Sequence, residues 1–149
     1  MREHLYRGQR ARDGKWVYGF YYTAGGRKFI LGDDNPDSDI QMAYEVMPET
    51  VGEYTGLYDN NNVRIFEGSI VRHRKWEESE RFPVVWDEDQ CRFGIDVSEN
   101  KNLVSNWEDR CVWPLRKEDV DCLDIIVVGN IYDDLEIKTA KLKEQKQIF

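Results

Sequence analysis

The side chains best able to do chemistry in this sequence are two acids in a glycine-containing stretch, and a cysteine that a hairpin would bring towards a histidine. Glu49 and Glu67 would each act as a base in a hydrolytic site or as a charge that blunts a strand edge, and the second interpretation is favoured. Cys91 and His73 would form a nucleophile–base pair only if strand register brought them together. The sequence contains no P-loop, GxSxG, GxGxxG or HExxH motif. We therefore expect no catalytic residue and no enzymatic activity.

The spacing of the candidate metal ligands does not fit a metal site. The cysteines include no CxxC pair, and His4 and His73 lie far apart in the chain. Residues 33–39 carry Asp or Asn at every second position, as a calcium loop does. However, the sixth position is not Gly, and Tyr44 stands at the twelfth, where a bidentate Glu is required. We expect no metal, no cofactor, and reduced, mostly buried thiols.

Composition and charge narrow the class of protein. The 149 residues carry a formal net charge of -8, and 40% are hydrophobic and 13% aromatic, which excludes a collagen-like or wholly disordered chain. No apolar run approaches the ~20 residues that span a bilayer, and the first residues contain no apolar signal segment. These features predict a soluble cytoplasmic protein with no membrane contact.

Period-two alternation of side chains predicts short antiparallel strands. Residues 16–22 place every second aromatic side chain on one side of an extended segment, between Asp-Gly and Gly-Gly turn signals. A first meander is predicted over residues 5–31, and a second over residues 70–97 with charged turns. The β-branched run over residues 125–128 is typical of a strand covered on both faces.

This pattern predicts a mainly β fold, in which antiparallel meanders form a partly closed small β-barrel or sandwich, with a C-terminal helix. The helix is predicted over residues 133–149, where acids come first and bases follow, as the helix dipole favours. We expect a single domain over residues 1–149, with sub-parts at 1–47 (meander), 48–131 (small barrel) and 133–149 (helical tail).

Several segments resemble the YopX family of bacteriophage and prophage proteins. They are residues 6–8, 16–19, 48–59, 65–71, 85–87 and 128–132. The order and spacing of these segments match the family over about residues 5–135. One difference is Ser69, which stands where the family usually carries an acid. The resemblance implies a small, mostly β, phage-encoded protein in the cytoplasm of a bacterial host cell, with no established catalytic, cofactor or metal residue.

The leading functional hypothesis is a non-enzymatic phage accessory protein that binds another phage or host protein. Nucleic-acid binding by aromatic stacking is a disfavoured alternative. Residues 1–28 carry seven basic and two acidic side chains, but the remainder carries 14 basic and 27 acidic ones. An acidic decoy that mimics DNA is a third hypothesis, and assembly into a homo-oligomer stays open.

The segment Glu49–Leu57 contains the predicted interaction rim, because it mixes acids, threonines and a tyrosine around two glycines. In the functional interpretation, Glu49, Thr50, Glu53, Tyr54 and Thr55 form a half-exposed recognition surface. In the structural alternative, the segment is a turn held by threonine hydroxyls and packed by Tyr54. The structural alternative is the favoured one of the two.

Overall fold

The computed structural model describes residues 3–33, 42–75, 80–98 and 111–133. The chain divides into two compact units, unit 1 over Met1–Leu57 and unit 2 over Tyr58–Phe149. The strands of unit 1 are β1 (Tyr6–Gln9), β2 (Trp16–Ala24), β3 (Arg27–Asp33), β4 (Met42–Glu45) and β5 (Gly52–Tyr58, which ends at the first residue of unit 2), with a 3-10 turn at Pro48–Thr50. Unit 2 contains β6 (Arg64–Phe66), β7 (Ser69–His73), β8 (Phe82–Asp87), β9 (Arg92–Asp96), β10 (Val112–Pro114), α1 (Lys117–Leu123) and β11 (Ile125–Asn130).

Unit 1 is an antiparallel sheet that curls back on itself at one end. Its strands lie in the order β4-β3-β2-β1-β5, with the first four in a meander and β5 returning to pair with β1. Val46, just after β4, forms a bridge to Arg10, just after β1. The sheet is therefore partly closed, and Val17, Ile30 and Val46 form the core inside the curl.

A pair of glycines allows β2 and β3 to pass very close to each other. Gly19 lies opposite Gly32 in the register, and a Cβ added to Gly19 would sit 2.1 Å from the Leu31 carbonyl oxygen. A Cβ added to Gly32 would sit 2.0 Å from the Tyr18 carbonyl oxygen. Neither position has room for a side chain, so the close approach of the two backbones requires glycine on both strands.

Unit 2 is a second antiparallel sheet, in the order β10-β9-β8-β7-β11. Side chains of this sheet, among them Val71, Phe82 and Ile95, line a cavity of only about 10 Å³, which leaves room for at most one water molecule. The short helix α1 leads into β11, and Asp119 in its first turn accepts the Arg116 backbone N–H at 2.9 Å. This bond satisfies one of the backbone donors at the helix start.

The structure confirms the predicted fold class, because the described residues are mainly strand and form antiparallel meanders. Neither sheet closes into a full barrel within the described ranges. The predicted C-terminal helix over residues 133–149 and the calcium-like loop over residues 33–39 lie outside the described residues except for their first residues, Asp133 and Asp33. None of the described helical segments has the length and apolar character needed to cross a bilayer. The single-domain organisation stays a prediction.

Replacing Gly19 with Ala should lower the free energy of unfolding by at least about 2 kcal/mol, because the new methyl group must displace the Leu31 carbonyl. Urea denaturation followed by circular dichroism measures the change. Gly129→Ala is the matched control, since nothing lies within 4 Å of a Cβ at that position, and its effect should stay within about 0.5 kcal/mol. Equal stability of Gly19→Ala and the unchanged protein would contradict the close approach.

Candidate interaction surface

Aromatic and aliphatic side chains cover one face of β2, β3 and β4. Residues opposite each other in the register point to the same face, so Phe20 lies beside Leu31, and Leu31 lies beside Ala43. In the next row Tyr22 lies beside Phe29, and their rings stack with centroids 5.3 Å apart at an angle of 17°. We call these five residues the aromatic face.

The aromatic face is exposed because the opposite face of the same strands already fills the core of unit 1. Val17 and Ile30 alternate in sequence with the aromatic residues and are fully buried. Phe20 is 62% exposed, while Tyr22 and Phe29 are half-buried. Removing a large apolar side chain from water stabilises a complex by about 1.5–3 kcal/mol, so this face is the strongest candidate for a contact with another molecule.

Two opposite charges border the aromatic face. The Nε of Arg27 lies 3.8 Å from the Glu45 carboxylate, and both side chains are exposed. Glu45 is also the register partner of Phe29, which places the ion pair next to the stacked rings. An apolar centre with a charged margin is the usual arrangement of residues in protein–protein interfaces.

Two of the basic residues near the N-terminus are engaged within unit 1. The Arg7 guanidinium lies 4.6 Å from the centre of the Trp16 ring, and that of Arg10 lies 5.1 Å from the Tyr44 ring. Arg10 also forms an ion pair with Asp13, and its side-chain hydrogen bond is the main reason that the pKa of Asp13 falls to about 2. Their charges are therefore partly neutralised or stacked, which leaves less of the basic N-terminal segment for contact with phosphate.

The structure separates the residues of the predicted interaction rim into two groups. Thr50 and Tyr54 are buried, whereas Glu49 is exposed, and Glu53 and Thr55 are half-buried. Alternation along β5 explains part of this division, because Glu53 and Thr55 point away from the side that buries Tyr54. The interaction rim stays a prediction, and three of its five residues are accessible.

Thr50 joins the 3-10 turn to β1. Its hydroxyl accepts the backbone N–H of the buried Gln9 at 2.9 Å and donates to the Met47 carbonyl at 2.6 Å. The first of these bonds gives the buried Gln9 N–H an acceptor inside unit 1, and the second adds to the bond that the Met47 carbonyl already accepts from the Thr50 N–H. Thr50 therefore makes the contacts described by the structural alternative for this segment.

A buried carboxylate holds the turn that follows β5. One oxygen of Asp59 accepts the backbone N–H groups of Asn61 and Val63, and the other accepts that of Val127 on β11, each at 2.8 Å. Asp59 is only 5% exposed, and these three donors compensate for the loss of water around its charge. The Asp and Asn side chains of residues 59–62 are typical of a turn, but the bond to β11 joins residues too distant in the chain for local patterns to reveal.

Two segments that carry the family resemblance meet at the turn between β6 and β7. Gly68 has a φ of 89° and lies against the Tyr132 ring, which a Cβ at that position would approach to 2.9 Å. Ser69 is fully buried, and its hydroxyl accepts the Phe66 backbone N–H at 3.0 Å. Glu67 is half-buried in the same turn. The contacts that hold this turn therefore include the packing of Gly68 on Tyr132, the bond of Ser69 to the backbone, and the Gly68 N–H bond to the Val84 carbonyl at 2.8 Å.

The prediction of mostly buried thiols is wrong. All three cysteines are free, with Cys91 and Cys122 exposed and Cys111 half-buried. Cys91 occupies the turn between β8 and β9 with a φ of 51°, and turns lie at the surface. The register also separates Cys91 from His73, because they lie at opposite ends of β8. Among the described residues, no group of three or more His, Cys, Asp and Glu side chains is placed to hold a metal ion.

A polar cleft of about 390 Å³ lies at the hairpin of β8 and β9. It is lined by Asp87, Asp89, Gln90, Arg92 and Val112. Asp87 is 6% exposed and lies opposite Arg92 in the register. In the sequence these residues are recognisable only as part of a charged turn, because the cleft depends on the hairpin register and on β10 beside it.

Comparison with known protein families gives one match. Residues 5–137 match the family model described as YopX protein. No curated protein matches the chain. The resemblance drawn from the sequence is therefore confirmed over most of the chain.

Replacing Asp59 with Asn should lower the free energy of unfolding by about 2 kcal/mol. The amide has only one acceptor oxygen, and its NH₂ group would face a backbone N–H that the carboxylate now binds. Thermal and urea denaturation measure the change, with the exposed Asp121→Asn as the control. If both variants unfold like the unchanged protein, Asp59 does not hold this turn.

Replacing Thr50 with Val should cost about 1–3 kcal/mol of stability, because it leaves the buried Gln9 N–H without its acceptor. Glu49→Ala, one residue earlier and exposed, should change stability by less than about 0.5 kcal/mol. Urea denaturation of the two variants tests the expectation. A larger loss for Glu49→Ala than for Thr50→Val would contradict the buried role of Thr50.

Proposed function

The chain belongs to the YopX family, and we propose that it is a non-enzymatic bacteriophage or prophage accessory protein that binds another protein in the cytoplasm of the bacterial host. The observation that carries this proposal is the aromatic face. Rings held on paired strands offer a large contact area and lose little side-chain freedom on binding, so they contribute strongly to protein interfaces. The exposed ring of Phe20 and the stacked pair Tyr22 and Phe29 provide such an area.

The charge of the chain favours a different protein over a second copy as the partner. Each copy carries a formal charge of -8, so two copies repel each other at long range. Residues 1–57 also contain more acidic side chains than basic ones, nine against seven. The accessible acids of the interaction rim, Glu49 and Glu53, add to this preference. The partner we propose therefore presents an apolar patch within a neutral or basic surface.

Nucleic-acid binding is the alternative that an experiment must separate from protein binding. Stacked rings beside an arginine also suit the bases of a single strand. The acidic balance of unit 1 works against it, because phosphate contacts need a basic surface.

Phe20→Ser should weaken binding of the partner about tenfold or more, because it removes the most exposed ring of the aromatic face. The partner is first captured from host cells that carry the phage, and its affinity for each purified variant is then measured by calorimetry. Val63→Ser is the control, since Val63 is another exposed apolar residue but belongs to unit 2.

Three results would contradict the proposal. The first is equal affinity of Phe20→Ser and Val63→Ser for the partner. The second is binding of a labelled single-stranded oligonucleotide that falls steeply with added salt and is lost in Phe20→Ser, which would favour nucleic-acid recognition. The third is a dimer in sedimentation velocity that Phe20→Ser converts to a monomer, which would assign the aromatic face to a second copy.

A further inference from the structure

Asp87 is only 6% exposed as a residue, and just one of its two carboxylate oxygens has a bonding partner in the described part of the chain. That oxygen accepts the Asp89 backbone N–H at 3.2 Å and holds the hairpin turn. Arg92 lies directly opposite in the register, but it forms no ion pair with Asp87 among the described residues. A largely buried carboxylate is unfavourable unless donors or a cation compensate its charge. Asp87 therefore has unused capacity to accept hydrogen bonds.

The residues that line the polar cleft indicate which kind of ligand would bond to the Asp87 carboxylate. Asp87 and Asp89 contribute two negative charges, Gln90 contributes an amide oxygen, and Arg92 contributes one positive charge. The positive charge of Arg92 also acts on Asp119. The pKa of Asp119 is lowered mainly by its hydrogen bond from Arg116 and to a smaller extent by the charge of Arg92. The cleft thus keeps a negative balance and several acceptors around an opening of about 390 Å³. A volume in this range admits a small molecule or a long side chain.

We propose that the polar cleft binds a guanidinium or ammonium group, with Asp87 as its main charge partner. Asp89 and the side-chain oxygen of Gln90 supply further acceptors for the N–H groups of the cation. The same chemistry is offered by an arginine or lysine side chain of a protein and by a free diamine or agmatine. This inference does not depend on the proposed function, because the cleft belongs to unit 2 and the aromatic face to unit 1.

Amide NMR spectra of the full chain test the proposal directly. Titration with N-acetyl-arginine methylamide should shift the amide signals of residues 87–92 in a saturable way. The citrulline analogue has the same shape without the charge, and it should leave these signals unchanged. Agmatine distinguishes the two sources. Tighter binding of agmatine than of the blocked arginine would favour a free cation, and the reverse order would favour a protein side chain.

Substitutions within the cleft make the test specific. Asp87→Asn keeps an oxygen that can hold the turn but removes the charge, and it should weaken arginine binding about tenfold. Arg92→Gln removes the competing positive charge and should strengthen binding severalfold. Asp121→Asn, an exposed acid on α1, is the control and should leave binding within about twofold.

Equal shifts with the citrulline analogue, or unchanged affinity in Asp87→Asn with its spectrum otherwise intact, would overturn the proposal. The absence of saturable shifts at residues 87–92 would overturn it as well. Phe20→Ser should bind the blocked arginine normally. Loss of arginine binding together with retained Phe20-dependent binding of the protein partner would therefore refute the cation site alone.

Discussion

The Asp59 carboxylate takes the place that a neighbouring strand would occupy at the outer edge of β11. It accepts the Val127 N–H at 2.8 Å, and beside it the Asn60 N–H donates to the Ile125 carbonyl at 3.1 Å. An edge strand rich in β-branched residues is otherwise a template for pairing with other chains. Because β11 pairs with β7 along its other side, this turn fixes the strand that ends the sheet of unit 2.

Unit 1 also has a strand at the edge of its sheet, and there backbone hydrogen bonds take the place of the carboxylate. Past the end of β4, the Ala11 N–H donates to the Glu45 carbonyl at 2.9 Å, and the Met47 N–H donates to the Gln9 carbonyl at 2.9 Å. These bonds close one end of the curl and leave a narrow interior. A Cβ added to Gly8 would already lie 3.2 Å from the side chains of Ile30 and Val46. Val17, Ile30 and Val46 fill this interior with Tyr21 packed against them, and the other aromatic residues of β2 and β3 lie on the opposite face.

The strands of this fold are largely predictable from the sequence, whereas the proposed binding surfaces are not. Alternation and turn signals are local, and they located the meander over residues 5–31 and the hairpins over residues 70–97. Alternation alone does not say which face of β2 is buried, since both faces carry apolar residues. That choice depends on the width of the curl and on the contact of Gly19 with Gly32 across the hairpin.

The contrast between local sequence patterns and tertiary contacts also explains the remaining differences between the predictions and the structure. Asp and Asn side chains favour a turn at residues 59–62, but the bond of Asp59 to Val127 depends on tertiary packing. The interaction rim was defined by composition, which does not reveal that Thr50 bonds to Gln9 on another strand. Asp87 looks in the sequence like any acid in a charged turn, and only the register of β8 and β9 places it beside Arg92 in a cleft.

The ligands that we propose for the aromatic face and for the polar cleft differ in the physical property that each surface would select. Binding at the aromatic face gains mainly from the apolar area removed from water, and this gain changes little with moderate salt. Binding at the cleft depends on the charge of Asp87, which salt ions screen less than an exposed carboxylate because the residue is nine-tenths buried. A ligand of the face is thus selected by shape and apolar area, and a ligand of the cleft by a single positive charge. Each surface follows from a register contact between neighbouring strands, Phe20 with Leu31 in one case and Asp87 with Arg92 in the other.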